Sequence, residues 1–462
     1  MKKTLLELLS DIRATRAQGL EAVLQKQRER FVAMVAYARA NSPYYRELYQ
    51  GLPEYVDDPT QLPATDKKTL MGRFDDWVTD PEVTLKEARA FVENTDLAAE
   101  MFLGKYLLAF GSGTRGFRAV YVLDNAPGPV YSALNIYQAQ EWFPNGELAR
   151  VLSYKGGKAS IVATNCNYPI YVNTLRKNKN NPRFGQKNRI FSVHMPISEL
   201  VVHLNEFQPA VLEGYTSTMG LLANEQEAGR LHINPFAIIV GGERLTMEER
   251  KRIAQAFNTK IAEIYGSSEC PNIAYGCDYG WLHIHSDWVV FEPVDEHFQP
   301  TPPGEISHTV LVSNLCNQAQ PFLRYDQGDS VIQRPDPCPC GNPLPAIQVL
   351  GRAGDELVFS DLNGQQVKIN LILISTEIDR VPGLDLFQLV MTSPTAMRVR
   401  LVPAASSDPD QVWQGVVTQI RKVLANYRLE HVTIVRAPEP PVVNPGGKYS
   451  VVLSQYHQVA AD

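Results

Sequence analysis

The sequence predicts an α/β fold: a large N-terminal domain with a doubly wound sheet and an accessory β region, then a small α+β C-terminal domain. Three observations carry this expectation. Ala237 to Val240 and Ile261 to Ile264 are short apolar runs flanking Leu245 to Phe257, where Ile253, Ala254 and Phe257 form a helical stripe. Thr246 and Glu249 have the spacing of a capping box, which satisfies exposed amides of a first helical turn. Strand, helix and strand at this spacing make a βαβ unit with parallel neighbouring strands. Upstream, Ala210 to Glu213 supplies another strand before Gly214-Tyr215-Thr216-Ser217 opens another helix. Beyond Cys277 the rhythm shortens to strands and turns, and the boundary falls after Gly351-Arg352, giving domains 1–352 and 353–462.

Taken in order, residues 1 to about 50 read as helical, with Leu5, Leu9 and Ile12 on one face and Phe31, Val32 and Val35 on the next. A Pro-containing linker (51–63) leads to a helix opened by Thr65-Asp66. Tyr106 to Phe110 and Ala119 to Leu123 are strands around a Gly-rich loop. Residues 125–195 are aromatic and amide-rich and give no clear period; the basic stretch from Arg176 to Arg189 reads as a solvated loop. A helix ending at Phe207 restores the βα rhythm. In the last hundred residues, Phe387 to Met391 and Met397 to Val402 form a hairpin about Ser393-Pro394-Thr395. Asp408 to Leu424 is a helix and His431 to Val435 a strand.

The bulk properties narrow the function classes. A chain of 462 residues with 44% hydrophobic and 20% charged residues buries a sizeable core. Its net charge of −6 lacks the basic footprint of a nucleic-acid binder. No apolar run approaches the length of a membrane span. Glu7 and Asp11 interrupt the opening apolar stretch, so it reads as an amphipathic helix and not a signal peptide. Six cysteines in so long a chain make no disulfide framework, and a cytoplasmic location is the expectation.

In open α/β sheets the carboxyl edge binds ligands. Gly241-Gly242-Glu243 and Tyr265-Gly266-Ser267-Ser268-Glu269 both fall there, where a carboxylate can hold a divalent cation and backbone groups can read a planar base. Ser112-Gly113-Thr114-Arg115-Gly116 combines small residues, hydroxyls and a guanidinium, which suits polyphosphate. It is not a Walker loop, because Phe117 stands where the lysine belongs. A Gly-rich hairpin turn is the competing reading.

Together these segments, followed by Tyr325-Asp326-Gln327-Gly328-Asp329, Gly351-Arg352-Ala353-Gly354-Asp355 and Gly447-Lys448, form an ordered series that resembles the motifs of adenylate-forming enzymes. The phenylacetate–CoA ligases and their relatives, among them synthetases that adenylylate a deazaflavin, are the branch it looks most like. Asn41-Ser42-Pro43-Tyr44-Tyr45-Arg46, Leu62-Pro63-Ala64-Thr65-Asp66-Lys67 and Cys338-Pro339-Cys340-Gly341 resemble further segments of that branch. The resemblance implies that Mg·ATP activates a carboxylic acid as an acyl-adenylate, which a thiol, usually coenzyme A, then takes up. It implies that Ser112, Gly113, Thr114, Arg115 and Gly116 hold the β- and γ-phosphates, that Gly241, Gly242 and Glu243 line the adenine with Tyr265 stacking near it, and that Gly266, Ser267 and Ser268 belong to the ATP-binding residues. Glu269 would hold Mg2+, Asp329 the ribose, and Arg352 ribose and phosphate. Asp355 lies near a hinge, and Lys448 on a mobile C-terminal domain would act on the α-phosphate and the carboxylate.

Tyr215, Ile273 and Tyr275 are candidate walls of the acid pocket, and equally candidates for core. Some members of the resembled branch carry zinc at positions matching Cys277, His283, Cys338 and Cys340, and three thiols with one imidazole suit a closed structural site. Cys270 and His285 are reserve ligands. Arg115 replaces the usual Thr and Gly354 the first of two hinge acids; these departures bear on the acceptor. The leading expectation is an acid–CoA ligase for an aromatic or hydrophobic acid. Its alternatives are an amine, carrier-protein thiol or hydroxyl acceptor, and a non-catalytic nucleotide-binding relative. A homodimer is compatible with the sequence but not dictated by it.

Overall fold

The computed structural model describes residues 3–111, 119–124, 127–144, 157–164, 169–352, 356–378, 381–404, 407–443 and 449–454. These divide into two compact units, Met1–Val349 and Leu350–Asp462.

The first unit opens with α1 (Leu5–Ala17) and α2 (Leu20–Asn41). Thr4 and Glu7 cap α1 reciprocally, and Leu8, Leu9, Ile12 and Arg16 are its buried stripe. Strands β1 (Tyr106–Phe110) and β2 (Val120–Asp124) form an antiparallel hairpin. Next come β3 (Lys158–Val162), β4 (Asn188–Ser192), β5 (Val211–Gly214), β6 (Ala237–Gly241) and β7 (Lys260–Tyr265), all parallel. β8 (Ala274–Gly276) and β9 (Leu282–Ile284) continue this sheet antiparallel. β10 (Val289–Val294), β11 (Thr309–Asn314) and β12 (Tyr325–Asp326) make a separate three-stranded sheet, the accessory β region. β13 (Asp329–Gln333) and β14 (Ala346–Arg352) complete the large sheet, whose order is β13-β14-β9-β8-β7-β6-β5-β3-β4.

Both faces of the parallel sheet are covered, because alternate side chains of a strand point to opposite faces. Ile238, Val240 and Ile261 pack beneath the helices Ile197–Phe207, Thr216–Glu227 and Met247–Phe257. Ala237 and Ala262 face the other way, toward Val23 of α2 and Trp142 of the helix Pro127–Trp142. The capping box of Thr246 and Glu249 is present. Chain order runs outward from β3 to β4 and then returns past β3 to β5, so the topological reversal lies between β3 and β5.

The stretch 125–195 differs from its expectation. It holds two strands of the parallel sheet and the helix Pro127–Trp142, and the basic segment is helical over Pro169–Asn180 and Pro182–Gln186 before entering β4. Val172 is the one buried side chain of helix Pro169–Asn180. A helix that buries so little shows no apolar period.

The second unit contains the hairpin β15 (Glu356–Ser360) and β16 (Gln366–Asn370), and a sheet of β17 (Leu384–Ser393), β18 (Ala396–Pro403), β19 (Thr433–Arg436) and β20 (Val452–Ser454). The helix Pro409–Asn426 is capped by Asp408 and buries Val412, Val416, Ile420, Val423 and Leu424 against it.

Candidate active site and metal centre

The loops after β5, β6 and β7 lie side by side at the carboxyl edge, beside the topological reversal. Two glycines permit this crowding. A Cβ at Gly241 would stand 2.8 Å from the Ile264 carbonyl oxygen, and one at Gly266 would stand 2.1 Å from that of Pro271. Beyond Gly266 the chain closes on itself: the Ser267 amide donates to the Cys270 carbonyl at 2.9 Å, and the Cys270 amide donates to Ser267 Oγ at 3.1 Å. Ser267 Oγ also donates to Gln327 Oε1 at 3.2 Å. Glu243 accepts from the Ser217 amide at 2.8 Å, so its carboxylate meets the N-terminus of helix Thr216–Glu227, where negative charge is favoured.

Two of the acids singled out in the sequence, Glu269 and Asp329, are braced by tyrosines. Tyr265 donates to Asp329 Oδ2 at 2.7 Å. Glu269 is buried, and its Oε1 accepts from Tyr325 at 3.0 Å and, more closely, from Tyr121. Asn314 Nδ2 holds the Glu269 carbonyl oxygen at 2.8 Å. Tyr121 and Asn314 were not singled out in the sequence. Arg352 is partly buried at the end of β14.

Ser112, Gly113, Thr114, Arg115, Gly116, Asp355 and Lys448 lie outside the described residues. Their flanks are described. Gly111 donates to the Ala119 carbonyl at 2.9 Å, closing the stem of the β1–β2 hairpin. In the second unit, Gln388 Nε2 donates to the carbonyls of Val442 and Ser450 at 3.0 and 2.8 Å, and Gln388 Oε1 accepts from the Val442 amide at 3.1 Å. Arg400 donates to the same Oε1 at 2.9 Å, so one buried glutamine joins both flanks of residues 444–448.

Tyr215 is buried at the end of β5. Ile273 and Tyr275 occupy core. Ile273 packs with Cys270, Ala274 and Ile284. Tyr275 stacks on His285, meets Trp142 edge-on, and its hydroxyl accepts from Asn342 at 2.7 Å. Alternation along β8 turns Tyr275 toward the cysteine turn.

Cys277, His283, Cys338 and Cys340 converge, with ligand atoms all within 4.8 Å of one another. The Cys277 and Cys338 sulfurs are 3.7 Å apart, close to the roughly 3.8 Å that two thiolates at tetrahedral zinc distances would show. Cys340 Sγ lies 3.1 Å from His283 Nε2. His283 Nδ1 sits 3.0 Å from the Leu344 carbonyl, a contact that leaves Nε2 as the ligating nitrogen. Burial, with the neighbouring thiols, pushes Cys340 up to about 12, a cost that a bound divalent cation removes. The donor set therefore fits zinc. Neither reserve ligand belongs to the group: Cys270 is buried in the core, and His285 faces Arg16 at 2.9 Å and Gln138 at 3.3 Å.

A doubly wound sheet with glycine-containing loops at its carboxyl edge, an accessory β region and a small α+β unit define the α/β class, with Glu269 and Asp329 each braced by tyrosine. No family model matches the chain. It is 26% identical over 184 residues to the phenylacetate–coenzyme A ligase of Thermus thermophilus, covering 38% of this chain and 41% of that protein. It is 33% identical over 130 residues to protein CapK of Staphylococcus aureus, covering 28% and 27% respectively. To the indoleacetate–lysine synthetase of Pseudomonas savastanoi it is 22% identical over 340 residues, covering 69% and 74%. The chain thus spans less than half the length of the first two relatives. In fold it is similar to 2-hydroxyisobutyryl-CoA ligase in the postadenylation state, with a TM-score of 0.65 at 17% identity, over 94% of this chain and 89% of that one. The proteins it is similar to in sequence and fold thus include two CoA ligases and an acid–lysine synthetase.

Proposed function

We propose that the protein is an ATP-dependent ligase that activates a carboxylic acid, aromatic or hydrophobic in class, as its acyl-adenylate and passes the acyl group to coenzyme A. The observation that carries this reading is Glu269, a buried carboxylate held at the carboxyl edge by two tyrosines, with the Asp329–Tyr265 pair on the neighbouring loop. The names of the phenylacetate–coenzyme A ligase and of the 2-hydroxyisobutyryl-CoA ligase support the acid–thiol chemistry.

In this reading Asp329 accepts the ribose hydroxyls and the Gly241–Glu243 backbone lies against the base. Residues 112–116 hold the terminal phosphates. Glu269 would hold Mg2+, which supplies charge neutralisation on the phosphates. The acid's carboxylate oxygen attacks the α-phosphorus and pyrophosphate leaves, while Lys448 and Arg352 stabilise the charge that develops. The thiol then attacks the acyl carbon and AMP departs. We assign zinc at Cys277, His283, Cys338 and Cys340 a structural role, tying β8 and β9 to the loop between β13 and β14. No described helix is long and apolar enough to cross a membrane.

A second reading keeps the adenylate and changes the acceptor to an amine. It is favoured by the similarity to indoleacetate–lysine synthetase, which covers more of this chain than that to phenylacetate–coenzyme A ligase. Pyrophosphate release with Mg·ATP, measured against aromatic and aliphatic acids with and without coenzyme A, tests both. Release that depends on an acid, rises with coenzyme A and is suppressed by Lys448→Ala supports the ligase. Release that rises with lysine and not with coenzyme A supports the amine acceptor, and no release with any acid contradicts both.

A further inference from the structure

Glu269 follows a loop, and a glutamate carboxyl turns freely about its last bond unless something fixes its plane. Here two phenols from different elements do so: Tyr121 from β2 and Tyr325 from β12. Both described side-chain hydrogen bonds to Glu269 end on the same oxygen, Oε1. The backbone is held independently by Asn314, so the phenols act on the carboxyl group and not on the course of the chain.

The element that carries Tyr121 is itself tied down. β2 pairs with β1 on one edge. On its other edge amide side chains take the place of a strand: Val122 donates to Gln320 Oε1 at 2.9 Å, and Gln320 Nε2 donates to the Val120 carbonyl at 3.2 Å. Asn317 Nδ2 donates to the Val122 carbonyl at 3.0 Å. The residues on either side of Tyr121 are thereby fixed on both edges, and its ring packs so closely on Gly111 that a Cβ there would stand 2.6 Å from Cε2.

We propose that Tyr121, together with Tyr325, is a positioning residue that engages Oε1 of Glu269 and so presents Oε2 to the divalent cation of the nucleotide. This rests on the reading of Glu269 as the cation's ligand. A phenol remains protonated at neutral pH and donates without competing as a ligand. The two phenols occupy the lone pairs of Oε1, which keeps that oxygen from joining Oε2 in bidentate coordination. Tyr121 is thus a determinant of metal affinity that does not touch the metal.

The test uses the full-length chain and three variants: Tyr121→Phe, Tyr325→Phe and Glu269→Gln. Mn2+ binding is followed by electron paramagnetic resonance in the presence of a non-hydrolysable ATP analogue, alongside the Mg2+ dependence of pyrophosphate release. Removing a hydrogen bond to a charged group predicts a rise of about five- to twentyfold in the Mn2+ dissociation constant for Tyr121→Phe. A parallel rise in half-saturating Mg2+ is expected, with the KM for the acid within about twofold. A lower melting temperature with unaltered Mn2+ affinity means a purely structural role and overturns the proposal. So does unaltered affinity in Tyr121→Phe when Glu269→Gln weakens binding. If Glu269→Gln also leaves Mn2+ affinity unchanged, the cation role of Glu269 fails and the proposal with it. Should Tyr121→Phe not fold, Tyr325→Phe removes the other donor to the same oxygen and carries the same expectation.

Discussion

Tyr265 at the end of β7 donates its hydroxyl to Asp329 at the start of β13, at 2.7 Å. Two loops separated by 64 residues in sequence are thereby locked in register at the sheet edge. If Asp329 accepts the ribose hydroxyls, Asp329→Ala raises the KM for ATP by about ten- to a hundredfold, the worth of hydrogen bonds to a charged acceptor. Tyr265→Phe loosens the carboxylate without removing it and raises the same KM by roughly three- to tenfold. Steady-state kinetics with ATP varied at saturating acid checks both. Equal effects in the two variants would mean that Tyr265 itself contacts the nucleotide.

The cysteine cluster predicts zinc of about one atom per chain in the purified protein, measured by plasma mass spectrometry. Cys338→Ser removes a ligand and should abolish the metal and lower the melting temperature. A chelator should do the same to the wild type. Cys270→Ser should keep full zinc content, because Cys270 lies in the core away from the cluster.

Burial raises Glu292 from 4.5 to about 6, outweighing the neighbouring Arg324 guanidinium. A carboxyl raised in the folded state binds its proton more tightly there than in the unfolded chain. Its contribution to stability is therefore fully present below pH 4.5 and is lost as pH rises through about 6. Glu292→Gln should flatten the melting-temperature profile across that window while leaving it parallel to wild type above pH 7. An unchanged slope would mean that Glu292 has an ordinary carboxyl affinity.

The ion pair between Arg16 of α1 and Asp287 is 2.6 Å long, with both side chains almost wholly buried. Breaking a buried pair on one side leaves an uncompensated charge, at a cost of about 3–5 kcal/mol. Asp287→Asn should lower the melting temperature by roughly 5–15 °C. Replacing both partners by apolar residues of similar volume should be milder than either single change. Differential scanning calorimetry of the three variants tests this ordering.

Sequence legibility followed burial. β6 and β7 were readable because strands covered on both faces are continuous apolar runs, and Thr246 with Glu249 announced the helix between them. β4 was not, since its sequence Asn-Arg-Ile-Phe-Ser lies at the edge of the sheet, buries the polar Asn188 and exposes Arg189. Glu269 and Asp329 stood out as acids beside glycines in loops. Tyr121 did not, because a tyrosine inside an apolar strand reads as core, and its partner lies 148 residues away. Ile273 and Tyr275 lay beside the right loop, but burial and the alternation of a three-residue strand place them in core. The cysteine cluster was legible only as a pattern, and the fold brings its two halves together across 61 residues.

Adenylation cleaves ATP between its α- and β-phosphates through attack by a carboxylate. Exchange of labelled pyrophosphate into ATP, measured with an acid present and no thiol or amine, tests it most directly. Exchange should require the acid and Mg2+, and should fall by at least about a hundredfold in Lys448→Ala. Consumption of ATP to ADP and phosphate, or exchange indifferent to every acid, would contradict it.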